Sequence, residues 1–183
     1  EDPYAELLCI RHYDSDRDGY LSYEEAAAVT SVEQLGEEAN RKHIASFNEL
    51  KHFTSLREFS LPGCHSIRSV TLPENLETIG EDTFSEWDSI KEIIIPDNVR
   101  TIGEQAFNHM GALESLQLPD SLKRISSFAI TYCDRLTELH FPEKADTIEA
   151  GAVYRCPNVS RFTGAMATED GRLLVKDDIV LCF

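Results

Sequence analysis

The sequence is short of positive charge. Lys and Arg number 17 against 33 Asp and Glu, a formal net charge of −16. A surface of that sign repels phosphate backbones and anionic headgroups, which excludes nucleic acid and acidic membranes as main partners. No run approaches the roughly 18 apolar residues that a membrane-crossing helix needs. The five cysteines, Cys9, Cys64, Cys133, Cys156 and Cys182, include no CxxC pair and make a poor zinc site or disulfide framework. The motifs of common catalytic centres are missing too: HExxH, GxSxG, a P-loop, and Ser, His and acid in triad order. His12, His43, His52, His65, His109 and His140 share no ligand spacing. Paired acids such as Glu37-Glu38 and Glu81-Asp82 read as solvated faces rather than a hydrolytic dyad. The reading is a non-catalytic chain. Its 42% apolar and 27% charged residues are a globular balance, not a disordered one. A start at Glu1 and a strand-like run at Ile179–Phe183 lead to the expectation of a secreted or trimmed chain that continues in the native protein.

What is present begins with a metal-type loop. Residues 14–25 read DSDRDGYLSYEE. Asp14, Asp16 and Asp18 fall at the first, third and fifth loop positions, and Gly19 at the sixth, where the chain must turn left-handed. Tyr20 would offer its carbonyl, Ser22 would act through a water, and Glu25 closes the loop with both carboxylate oxygens. A hard divalent ion needs six to eight oxygens, and a tight loop turns alternate side chains inward to supply them. Calcium is the expected cofactor, as a single structural site, because no second loop has this pattern. The plain alternative is a solvated acidic turn. The flanks are predicted as helices, an entering one over 5–13 with Leu7, Ile10 and Tyr13 inward, and an exiting one over 22–32.

The remainder repeats. Pro73, Pro96, Pro119 and Pro142 recur in steps of 23, as do Ile79, Ile102, Ile125 and Ile148. Two more series keep the same step: Ile67, Ile90, Leu113, Leu136, Val159, and Phe84, Phe107, Ile130, Val153. A period of 20–29 residues with LxxLxL segments is the mark of a leucine-rich solenoid. The predicted fold is an α+β solenoid with a parallel sheet. It has a helical cap at 1–43, repeats at 44–164 and a closing hairpin at 165–183. That hairpin is expected to pair Leu173-Leu174-Val175 with Ile179-Val180-Leu181 across turns at Asp170-Gly171 and Lys176–Asp178. Leu56-Phe59-Leu61 reads as one further rung, although Ile44-Phe47 is an alternative start, since Ile44 lies 23 before Ile67. Cys64, Trp87, Met110, Cys133 and Cys156 share one register. They read as a buried column of medium-sized side chains, or as a thiol or inter-rung disulfide site.

The loop DSDRDGYLSYEE and the rungs LPENLETIGEDTF, IPDNVRTIGEQAF and LPDSLKRISSFAI together resemble the BspA-like leucine-rich-repeat proteins of gut and oral anaerobes. ATEDGRLLVKDDIVLCF resembles a closing hairpin of that family. The pattern departs at Ile130 and Val153, where the family's Phe is absent, and finds no match over 33–43. The resemblance implies extracellular or lipid-anchored display on a bacterial envelope and adhesion-type binding of a host or bacterial surface protein or polymer. It names no ligand. A structural spacer within a larger surface protein is the alternative function.

Strand alternation then predicts a partner surface. With Phe59, Val70, Ile93, Leu116, Leu139 and Phe162 inward, one outward column holds Glu58, Ser69, Glu92, Ser115, Glu138 and Arg161. The other holds Ser60, Thr71, Ile94, Gln117, His140 and Thr163. Ile94, Gln117 and His140 are the expected central contacts, with Glu92 and Glu138 favouring a basic group on the partner. The bland reading of the same residues is a solvated strand face.

Overall fold

A 23-residue unit whose apolar residues recur every two to five positions can bury them all only by winding around a common axis. The chain does so in a computed structural model that describes residues 2–32, 35, 38–39, 43–142 and 145–164, with the backbone of 175–176 and 179–180. Each turn visits parallel ladders on different sides of the coil. The first ladder carries the LxxLxL segments: Ser46–Phe47, Ser69–Val70, Glu92–Ile94, Ser115–Gln117, Glu138–Phe141 and Arg161–Gly164. Its hydrogen bonds join these strands in pairs, Ser46 with Ser69, Ile93 with Leu116, and Leu139 with Phe162. The second ladder runs unbroken through Glu58–Phe59, Thr78–Ile79, Thr101–Ile102, Arg124–Ile125 and Thr147–Ile148. The third joins Phe107–Asn108, Ile130–Thr131 and Val153–Tyr154.

Two sequence expectations change in consequence. The parallel sheet is not one but several: the isoleucine series Ile79, Ile102, Ile125 and Ile148 lies in strands of its own beside the LxxLxL segments. Leu56–Leu61 is not an LxxLxL rung: Phe59 pairs with Ile79, in the second ladder. The first turn is short, and its LxxLxL strand is the one at Ile44–Phe47, the alternative start. Glu58 and Ser60 therefore leave the outward columns, and Ser46 and Asn48 take their places. Thr71 Oγ1 donates to Asn48 Oδ1 at 3.0 Å across that join.

Inside the coil, Phe84 meets Phe59 and Trp87 edge-on at 5.5 and 5.0 Å and stacks on Phe107 at 5.2 Å. Aromatic pairs of this kind add to burial about 0.5–1.5 kcal/mol each. Ile130 and Val153, which lack the family Phe, are buried in register with Phe107. The cysteine column is buried from Cys64 to Cys156, and Trp87 Nε1 donates to the Leu61 carbonyl at 2.7 Å.

At the N-terminus, α1 (Pro3–Tyr13) begins with Asp2 accepting from the Tyr4 amide, and proline sits where a missing N–H costs nothing. The other Asp2 oxygen accepts from the Ala45 amide at 2.8 Å, tying the cap to the first rung. The inward face of α1 is Ala5, Leu8 and Cys9; Leu7 is exposed, Ile10 is half-buried, and Tyr13 reaches the core from the side. The predicted Leu7–Ile10–Tyr13 face is thus rotated, because the helix packs on the 3-10 helix Asn48–His52. The exit helix α2 is shorter than predicted, Tyr23–Ala28, and stops at the β-branched Val29 and Thr30. At the far end Val175–Lys176 pairs antiparallel with Ile179–Val180. The rest of the predicted hairpin, Leu173, Leu174, Leu181 and both turns apart from Lys176, lies outside the described residues.

Candidate functional site

The loop between α1 and α2 folds around its own carboxylates. Gly19 takes φ +92°, the left-handed turn expected of the sixth position. Asp14 Oδ1 accepts from the Arg17 amide at 2.6 Å and its Oδ2 from the Gly19 amide at 2.9 Å. Asp16 Oδ1 accepts from the Asp18 amide at 3.0 Å, and Asp18 Oδ1 from the Tyr20 amide at 2.9 Å. One carboxylate oxygen from each of Asp14, Asp16 and Asp18 lies within 4.8 Å of the others. Three anionic oxygens that close repel one another unless a cation sits among them. All the donors are hard oxygens, which suits calcium or magnesium and not a softer transition metal.

Glu25 stands apart from that group. Its Oε1 accepts from the Ser15 amide and hydroxyl at 2.6 and 2.8 Å, and its Oε2 from the Ser22 amide and hydroxyl at 3.0 and 2.9 Å. Ser22 in turn caps α2 by accepting from the Glu25 amide. The Ser22 amide above all, then the Ser15 hydroxyl and amide, hold Glu25 down at about 2. A folded-state value below the ordinary 4.5 means that these bonds stabilise the loop above pH about 4.5 and are lost as pH falls toward 2. In metal-free protein, the Ser15 and Ser22 amides should therefore gain hydrogen exchange, corrected for its intrinsic pH dependence, across that window. Unchanged protection down to pH 2 would contradict the assignment.

The predicted partner residues do share one face. Glu92, Ile94, Gln117, Glu138 and His140 are all exposed on the first ladder. Ile94 pairs with Gln117, and Glu138 with Arg161. Ile94 is 67% exposed, unusual for an isoleucine inside a strand. His140 Nδ1 lies 2.9 Å from Thr163 Oγ1, which fixes the ring against the last rung. Beside Ile94 a shallow recess of about 520 Å³ opens where Ser69–Val70 and Glu92–Ile94 face each other without ladder hydrogen bonds. Val70, expected inward, is only half-buried at its edge.

Among the described residues six first-ladder strands stand in the coil, and the pattern called BspA type leucine rich repeat region matches six copies over residues 40–168. That is well over half of the chain. The chain belongs to the BspA-type leucine-rich repeat family. A leucine-rich repeat protein of T. pallidum superposes with a TM-score of 0.50 at 25% identity, covering 75% of this chain and 63% of that one. The pneumococcal vaccine antigen PcpA superposes at 0.56 with 17% identity, over 76% of this chain and 36% of the antigen, a likeness of fold alone. The BspA-type chain thus spans less than two thirds of either protein's length. No curated relative matches the sequence.

The BspA-type repeat also builds a feature that sequence reasoning missed. Glu86, His109, Tyr132 and Arg155, again 23 apart, all adopt positive φ between 51° and 63°. The last three side chains line up from turn to turn. His109 stacks on Tyr132 at 4.4 Å and 6°, and the Arg155 guanidinium lies 5.6 Å from the same ring. The signal was one more series in steps of 23, hidden because its members share no chemistry.

Proposed function

We propose that this chain is a non-catalytic binding module displayed at a bacterial cell surface, with one structural calcium ion in its N-terminal cap. The observation that carries the binding reading is Ile94. A strand residue that apolar and that exposed, flanked by an open recess, costs solvation unless something covers it. Gln117 and His140 continue its column at about 4.8 Å per rung. Glu92 and Glu138 run beside it and complement a basic group. The favoured partner is accordingly a protein or polymer segment with an apolar contact and a positive charge. Membership of a family of bacterial repeat proteins supports surface display.

Peptide-display and glycan-array screens with the wild-type chain, repeated with Ile94→Asp, His140→Ala and the remote control Lys123→Ala, test this reading. Ile94→Asp places a carboxylate in the recess and should remove at least nine-tenths of any specific signal. Lys123→Ala should leave it intact. If Ile94→Asp and His140→Ala bind as the wild type does while remaining folded, the face is not the docking surface.

The calcium reading rests on the three converging aspartates and the left-handed Gly19. Asp14, Asp16, Asp18, the Tyr20 carbonyl, Ser22 through water and Glu25 would hold the ion. Glu25 would exchange its serine contacts for the metal. Affinity should be weak, on the order of 10⁻⁴–10⁻³ M, as in extracellular modules. Calorimetric titration of metal-stripped protein should show one site; no heat at millimolar calcium, with the protein folded, sinks the claim.

A further inference from the structure

Two cysteines of the buried column occupy equivalent places on adjacent turns. Ile130 pairs with Val153 and Thr131 with Tyr154, so Cys133 and Cys156, each two residues on, face one another across the ladder. Both turns continue alike, with the Leu136 amide donating to the Cys133 carbonyl and the Val159 amide to the Cys156 carbonyl. Adjacent parallel strands lie about 4.8 Å apart, inside the Cα separation of roughly 4.4–6.8 Å that a disulfide tolerates. The two sulfurs take equivalent places one turn apart. Cys133 Sγ lies 3.3 Å from the Phe107 carbonyl and 3.5 Å from that of Thr131. Cys156 Sγ lies 3.6 Å from the carbonyls of Ile130 and Tyr154. The neighbouring Cys156 thiol, and then burial, raises Cys133, while the Cys133 thiol lowers Cys156. In the same column Cys64 is followed by Trp87, and Cys9 belongs to the cap.

We infer that Cys133 and Cys156 form a disulfide between adjacent turns when the chain meets oxidising surroundings, and that this bond locks these two turns of the solenoid together. A cross-link between residues in successive turns restricts the unfolded chain and opposes separation of the two turns. Access comes through Cys156, which is 8% exposed where Cys133 is fully buried.

The chemistry needs an external disulfide, such as oxidised glutathione. The Cys156 thiolate attacks one of its sulfurs and expels one thiolate. Cys133 then gives up its proton and attacks Cys156 Sγ in the mixed disulfide, expelling the second. One disulfide forms in the protein, one is reduced outside it, and the two protein thiol protons pass to the two released thiols.

The test uses the full chain held in oxidised glutathione, trapped with N-ethylmaleimide and mapped by mass spectrometry. The expected product is one reducible cross-link joining the peptides of Cys133 and Cys156. Oxidation should raise the melting temperature by several degrees, roughly 4–10 °C. Cys156→Ser, checked for an unchanged circular dichroism spectrum, should lose both the cross-link and the thermal response. Cys133→Ser serves as a second route if that variant folds poorly. Recovery of both thiols in reduced form overturns the inference. So does Cys156 bound to glutathione, to Cys182 or to a second chain. A correct cross-link with no change in melting overturns the locking role.

Discussion

Replacing Phe84 with alanine is expected to cost the solenoid about 3–5 kcal/mol. Phe84 is fully buried and touches three other rings, Phe59 in the turn before, Trp87 in its own turn and Phe107 in the turn after. Its removal opens a cavity at the joint between the shortened first turn and the regular ones. Backbone hydrogen bonds flank that joint, from the Phe84 amide to the Ala106 carbonyl and from the Leu61 amide to the Thr83 carbonyl. They hold the strands at fixed spacing, so the space collapses only in part. Denaturant unfolding followed by circular dichroism measures the loss. Phe128, another repeat-unit phenylalanine but 43% exposed, supplies the comparison; Phe128→Ala should cost less than about 1 kcal/mol. Equal losses for the two would mean that the Phe84 cluster is not the anchor of the core.

The second large effect is expected from Asp14→Asn. This change keeps the shape and an acceptor for the Arg17 amide, yet removes one of the three clustered charges. It should abolish detectable calcium binding at millimolar concentration, since a weak oxygen site depends on its charge count. Hydrogen exchange separates the local consequence from a global one. In the wild type, calcium should protect residues 5–32 most, because an ion that binds only the folded loop stabilises it by mass action. The Asp2 bond to the Ala45 amide should pass a smaller part of that protection into the first rung. Protection spread evenly along the chain, or a mutant that binds as before, would contradict a cation site in this loop.

Much of this was legible in the residues. The loop positions of Asp14, Asp16, Asp18 and Gly19 could be assigned singly because a metal loop is local, with every donor within a dozen residues. Repeat boundaries were equally plain, because steps of 23 in proline and aliphatic residues recur whatever the strand assignment. Ile94 could be placed outward by alternation alone. Two things were not legible in this way. Two-residue strands such as Arg124–Ile125 and Ile130–Thr131 are too short to show alternation, so the second and third ladders were hidden. The face of α1 was also misjudged, since its apolar residues, Leu7, Leu8, Cys9, Ile10 and Tyr13, surround most of the helix and allow more than one inward side.

Sequence by itself determined the period, the solenoid class, the order of cap and repeats, and that Asp14, Asp16 and Asp18 come together in one loop. Each of these depends on spacing along one chain, and spacing is what a sequence records. Tertiary structure alone decided that Phe59 joins Ile79 and not Val70, that Ser46 and Asn48 complete the outward columns, and that Glu25 rests on Ser15 and Ser22. These outcomes depend on how one turn settles against the next. The hydrogen bonds and burial that fix that settling come from residues about 20–26 positions away, beyond the reach of any local pattern.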